Sequence, residues 1–144
     1  MGRVYAGWGF SQAFYWQQLY KKSPFDYATL EDFLVGFWEG FFLAKDANNL
    51  LAMAWTWQHG DVGQTPGFDG DSERALASIK AKVLVMPAQK DLYFPPEDEE
   101  YAVSHIPNAE LRVIPGVWGH FAGGGVNPAD TKFINDALTE LLAT

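Results

Sequence analysis

The period of apolar positions changes near residue 60 of this 144-residue chain. Upstream, large apolar residues recur at helical spacing. An unbroken aromatic stretch without proline, residues 8–20, predicts a helix ending near Lys21-Lys22-Ser23-Pro24. Thr29 with Asp32 three residues later has capping-box spacing and predicts a second helix to Leu43. Within it, Gly36 and Gly40 suggest a face open to close approach by another helix. Asp46 can cap a third helix to about His59, where Leu50, Met53, Ala54 and Trp57 at i, i+3, i+4, i+7 predict a core stripe.

Downstream the pattern becomes that of a β-α-β unit. Lys82–Met86 is a short apolar run, as expected of a strand in a parallel sheet covered on both faces. Pro95-Pro96 followed by Glu97-Asp98-Glu99-Glu100 starts a helix with carboxylates at its positive end. Pro107-Asn108 stops it, and Ala109–Ile114 alternates like a second strand. Asp71–Lys80 reads as a capped helix feeding the first strand. Asn127-Pro128 opens a closing helix with Phe133, Ile134, Ala137, Leu138 and Leu141 on its buried stripe. Residues 61–70, rich in glycine, separate a helical segment (1–60) from an α/β segment (71–144). Two parallel strands are too few for an independent sheet, so the expected fold is an α/β domain with an incomplete sheet.

Candidate chemistry lies at the strand ends. Asp91 follows the first strand, and His120 follows the second on a glycine-flanked loop. A right-handed crossover would bring both to one edge of the sheet, where catalytic groups of parallel sheets collect. An acid and then a Gly-His, each after a strand, is the Asp…His order of an α/β-hydrolase triad. His59 and His105 stand at helix ends, where capping explains them; a metal site at His59 and Asp61 lacks further ligands. Of the five serines, only Ser11 in Gly9-Phe10-Ser11-Gln12-Ala13 approaches a nucleophile elbow, with Ala in place of the last Gly. The few residues before it, Arg3–Ala6, read as strand-like but leave no room for the segment that supplies a second oxyanion donor.

The stretch VLVMPAQKDLYFPPEDEEYAVSHIPNAELRVIPGVWGHFAGG resembles the C-terminal part of the homoserine O-acetyltransferase-like branch of the α/β-hydrolase superfamily. In that branch a strand ends in Asp-x-x-Phe-Pro, and a later Gly-His closes the triad. Residues 4–13 and 46–51 resemble its helical cap. The resemblance implies that Asp91 orients His120, the general base, and that Ser11 belongs to the cap. It also implies an acyl ester or acyl-CoA-type substrate in a longer parent, with no metal or redox cofactor. The nucleophile and the front half of the sheet would come from a complementary N-terminal half; failing that, the open sheet edge calls for a homo-oligomer. Homoserine acetyltransferases typically carry an acid after the triad histidine, thought to hold the substrate's amino group. Phe121 stands there, so another acyl acceptor, or water, is expected. The alternative is a non-catalytic interaction module that kept the hydrolase shape.

Composition narrows the partners. A net charge of −8 disfavours nucleic acid and anionic membrane surfaces. The absence of cysteine removes disulfides and thiol chemistry. No run of eighteen apolar residues or signal-like start is present, so a cytoplasmic protein is expected. An aromatic share of 16% leaves two readings open: helices packed through large rings, or an apolar surface that wants a partner.

Overall fold

The computed structural model describes residues 1–143. The chain is mostly helical, with one two-stranded parallel sheet among the described residues.

Helix α1 (Gly2–Gly9) and helix α2 (Gln12–Trp16) replace the single helix expected over residues 8–20 and the strand-like reading of Arg3–Ala6. The break falls at Phe10-Ser11, because the Ser11 backbone is extended and its hydroxyl accepts the Phe14 N–H at 3.1 Å as an N-cap. The same hydroxyl donates to the Val117 carbonyl, so the break is fixed by a contact 106 residues away. A short 3₁₀ turn, Leu19–Lys21, follows.

Helix α3 (Leu30–Phe33) begins with the expected Thr29/Asp32 capping box. The chain then runs as a π-helix over Leu34–Glu39 and returns to α-helix in α4 (Gly40–Leu43). Phe33 and Trp38 are both fully buried. Five residues apart, they would diverge by about 140° around an α-helix; i→i+5 pairing keeps them on one side. Gly36 makes room for the ring of Tyr27, not for a second helix, and Gly40 meets only its own turn. Arg3 on α1 reaches Glu31 and Glu39, with Nε 2.7 Å from Glu39, an exposed contact of modest worth.

These elements close around an aromatic core of Phe10, Phe14, Tyr20, Phe33 and Trp38. Phe10 stacks on Phe14 at 4.0 Å and Phe33 on Phe37 at 5.2 Å. Gly9 is required here, since a Cβ would fall 2.4 Å from the Trp38 ring. The buried polar atoms are answered: the Trp38 indole donates to the Tyr15 hydroxyl at 3.1 Å, which donates to the Ala6 carbonyl at 2.6 Å. Burial pushes the Tyr15 hydroxyl up to about 12.

Helix α5 (Ala47–His59) has the expected bounds and Asp46 cap, but none of its residues is buried. The stripe read as core is not core: Met53 and Ala54 are exposed, as are Leu51, Trp55 and Trp57. Helix α6 (Ser72–Ala77), capped by Asp71, leads to strand β1 (Val83–Val85). Helix α7 (Pro96–His105) crosses to strand β2 (Ala109–Leu111), which pairs parallel with β1 in the register Val83↔Ala109. An isolated Ala88↔Ile114 bridge prolongs the ladder. Helix α8 (Pro128–Leu142), capped by Asn127, packs Phe133 and Ile134 against a second core of Ala88, Ile114 and Ala122, while Leu138 stays partly exposed. No helix among the described residues is long and apolar enough to cross a membrane.

Candidate active site

The β1–β2 ladder ends at the Ala88↔Ile114 bridge, and the two segments that follow carry Asp91 and His120. Gln89 N–H donates to the Ile114 carbonyl and Asp91 N–H to the Ala88 carbonyl, both at 3.0 Å, so the Asp91 backbone is pinned to the strand end. One carboxylate oxygen, Oδ1, accepts the Tyr93 N–H at 2.8 Å, closing the turn that short acidic side chains favour. The other, Oδ2, lies 3.1 Å from Nδ1 of His120. Asp91 is therefore both a turn residue and the partner of a histidine.

His120 is positioned from three sides. Trp118, two residues earlier, packs into both hydrophobic cores and ties the loop to them. Gly119 has a left-handed φ of +58°, and a Cβ there would lie 2.9 Å from the Ser11 backbone nitrogen, so glycine is needed twice over. The rings of Tyr93 and Phe94 stand 5.0 and 5.6 Å from the imidazole. A carboxylate only accepts, so Nδ1 carries the proton and donates to Asp91, which leaves the Nε2 lone pair available as a base. The ring is about one-third exposed, and Nε2 has no hydrogen bond among the described residues. It borders an open cleft lined by Met86, Asp91, Phe94, Glu99 and Ile134.

No serine hydroxyl is hydrogen-bonded to this histidine among the described residues. Ser11 is buried with its hydroxyl engaged as a cap and as a tether to Val117. Ser72 donates to Asp61, Ser78 to the Ala75 carbonyl and Ser104 to the Tyr101 carbonyl. His59 and His105 sit at the ends of α5 and α7, each with Nδ1 against the carbonyl four residues back, at 2.7 and 2.8 Å. No cluster of three or more His, Asp or Glu that could hold a metal is found among the described residues.

Phe121 turns inward and stacks on Phe10 at 4.6 Å. Sequence reasoning did not single out Tyr93, whose ring touches Tyr5, Trp8, Trp57 and His120. The available signal was its place inside the Asp-x-x-Phe-Pro segment, between the acid and Phe94.

The chain is similar to acetyl-ester hydrolases. It is 37% identical over 138 residues to the probable esterase Cgl0839 of Corynebacterium glutamicum, covering 96% of this chain and 38% of the relative. It is 36% identical over 136 residues to the ethyl acetate hydrolase of Pseudomonas veronii, covering 94% and 38%. Among solved structures, an acetylester hydrolase from Corynebacterium glutamicum superposes with a TM-score of 0.91 at 35% identity, over 99% of this chain and 40% of that one. The acetyl esterase MekB superposes with a TM-score of 0.91 at 33% identity, over the same shares. The chain thus spans about two fifths of the length of these relatives. No family model matches it. The relatives are hydrolases, as the residues around Asp91 and His120 led one to expect, and the two-stranded sheet corresponds to part of a hydrolase-like fold.

Proposed function

We propose that this chain is the portion of a serine-dependent acyl-ester hydrolase that carries the acid and the base of the triad, Asp91 and His120, and that the nucleophilic serine comes from polypeptide outside these residues. The observation that carries this reading is the Asp91–His120 pair, with Nδ1 committed to the carboxylate and His120 bordering an open cleft.

In such an enzyme His120 Nε2 takes the serine proton as the hydroxyl attacks the ester carbonyl, and gives it to the departing alkoxide as the acyl-enzyme forms. It then takes a proton from water, whose oxygen attacks the acyl group, and returns it to the serine. Asp91 holds the tautomer and stabilises the imidazolium between these transfers. Water is favoured as acceptor over homoserine. An acid after the histidine would hold an ammonium group, whereas Phe121 is part of the aromatic core. The likeness to the homoserine O-acetyltransferase branch is then one of architecture, with a helical cap-like segment before the α/β segment.

A non-catalytic interaction module is the second reading, favoured by the exposed apolar residues of α5. One experiment separates the two. The chain alone should not hydrolyse p-nitrophenyl acetate above background. Combined with the part of the Pseudomonas veronii relative that it does not match, it should, and His120→Ala should lower that activity by roughly 10³-fold or more. A mixture that assembles without activity favours the interaction module. Hydrolysis by the chain alone that is lost in Ser11→Ala would overturn both.

A further inference from the structure

Ser11 holds a buried hydroxyl that the reaction above does not use, and its surroundings give it more to do than cap a helix. It starts α2, a helix of only five residues, by accepting the Phe14 N–H at 3.1 Å. Thr29, Asp46 and Asp71 cap their helices from exposed positions, whereas Ser11 is 3% exposed. The same oxygen donates its hydrogen to the Val117 carbonyl. A hydroxyl suits this two-way role, since one atom accepts and donates, while the carboxylate of a capping Asp only accepts. The Ser11 backbone meets the loop a second time: a Cβ on Gly119 would lie 2.9 Å from the Ser11 nitrogen. Phe10 adds a third contact, stacking on Phe121 at 4.6 Å. Residues 10 and 11 thus grip the loop at Val117, Gly119 and Phe121, on both sides of His120.

We propose that Ser11 is a positioning residue for His120: by tying the Val117 carbonyl to the start of α2, it sets where the histidine backbone stands, so that Nδ1 meets Asp91. Its bearing on turnover rests on the ester-cleaving reading of His120. The acid and the base have separate anchors. Asp91 is held at the strand end by hydrogen bonds with Ala88 and Tyr93. His120 stands on a loop beyond the last bridge of the ladder, and its place is set from the helical segment. The 3.1 Å contact between them tolerates little drift, since a further shift of about 1 Å would end the hydrogen bond. Without the Ser11 hydroxyl the Val117 carbonyl must find another donor, and the peptide that turns to do so carries the loop with it. An imidazole released from Asp91 holds its proton on Nε2 for part of the time, and in that form Nε2 cannot act as a base. The Ser11 hydroxyl is spent on Val117 and Phe14, which sets this role apart from that of a nucleophile.

The tautomer of His120 tests this, read by ¹H–¹⁵N NMR of the neutral ring in the full chain. Ser11→Ala removes cap and tether together, whereas Ser11→Gly removes the tether and keeps a residue that serves well as an N-cap. Both should lower the Nδ1–H population of His120 by about half or more. Asp71→Ala, which removes the cap of α6 instead, should leave that population unchanged. In the unaltered chain the Ser11 hydroxyl proton should exchange with water slowly enough to be observed. An unchanged tautomer in Ser11→Gly, an equal change in Asp71→Ala, or a rapidly exchanging hydroxyl would overturn the proposal. In the reconstituted enzyme, Ser11→Gly should lower kcat roughly 5- to 50-fold and leave KM within about twofold. A loss as deep as that of His120→Ala would make Ser11 a reacting group and overturn the proposal as well. The tautomer needs no catalysis, so a shifted tautomer alongside a reconstituted protein that cleaves no ester would end the hydrolase reading while leaving the tether standing.

Discussion

The aromatic core and helix α5 have nearly the same raw material and opposite fates. Phe10, Phe14, Phe33 and Trp38 are fully buried, ring against ring, and the one polar hydrogen among them is donated to Tyr15. Leu51, Met53, Trp55 and Trp57 lie on a helix as well capped as any in the molecule, and all four are exposed. Capping and propensity make a helix; burial needs an opposing surface. The core has that surface because α1, α2, the π-containing helix and the His120 loop all converge on it. Helix α5 faces no such convergence.

The sharpest way to break the contrast is to remove one indole from each region. Trp38→Ala should cost about 3–5 kcal/mol in denaturant unfolding, by lost burial and the cavity left behind. Trp55→Ala should change stability by no more than about 0.5 kcal/mol. A similar loss from both would mean that α5 is covered in solution. Next in size is Gly119→Ala, which puts a methyl group against the Ser11 backbone at a left-handed φ. It should cost about 1–3 kcal/mol and displace the His120 ring signals in NMR. An unshifted ring would show that the core does not position the histidine.

The smallest effect concerns Asp130 on α8, buried against Gly116 with no hydrogen-bond partner for Oδ2 among the described residues. Burial raises its carboxyl above the ordinary value, although Asn127 pulls the other way. The folded state then holds this proton more tightly than the unfolded one. The stability it contributes is complete below the ordinary carboxylate value and is lost as pH rises through the raised one. Asp130→Asn should flatten that slope and leave the protein as stable or slightly more so at neutral pH, by under about 1 kcal/mol. A steeper slope in the variant would contradict the assignment.

What the sequence disclosed was local or topological. Thr29 with Asp32, Asp46, Asp71 and Asn127 all cap where they were expected, since a cap depends on a few consecutive residues. The meeting of Asp91 and His120 followed from two parallel strands and a crossover helix. The break at Phe10-Ser11 was hidden because its cause, the Val117 carbonyl, is remote in sequence. The stripe on α5 misled for another reason. Helical spacing of Leu50, Met53, Ala54 and Trp57 says that a face would gain from burial, and is silent on whether the burying element belongs to the same chain.

The π-helical stretch Leu34–Glu39 bears on how the chain could change length. A wide turn of this kind holds one amino acid more than an α-helix of the same axial span. Deleting a single residue there, such as Val35, need not shorten the helix; it would tighten the turn into ordinary α-helix and leave both ends near their present positions. The rotation would carry Trp38 out of line with Phe33 and vacate the space beside Gly9 and Phe10, on which the loop bearing His120 leans. The extra residue is thus an insertion that the helix absorbs without growing, and the seating of the histidine loop depends on keeping it.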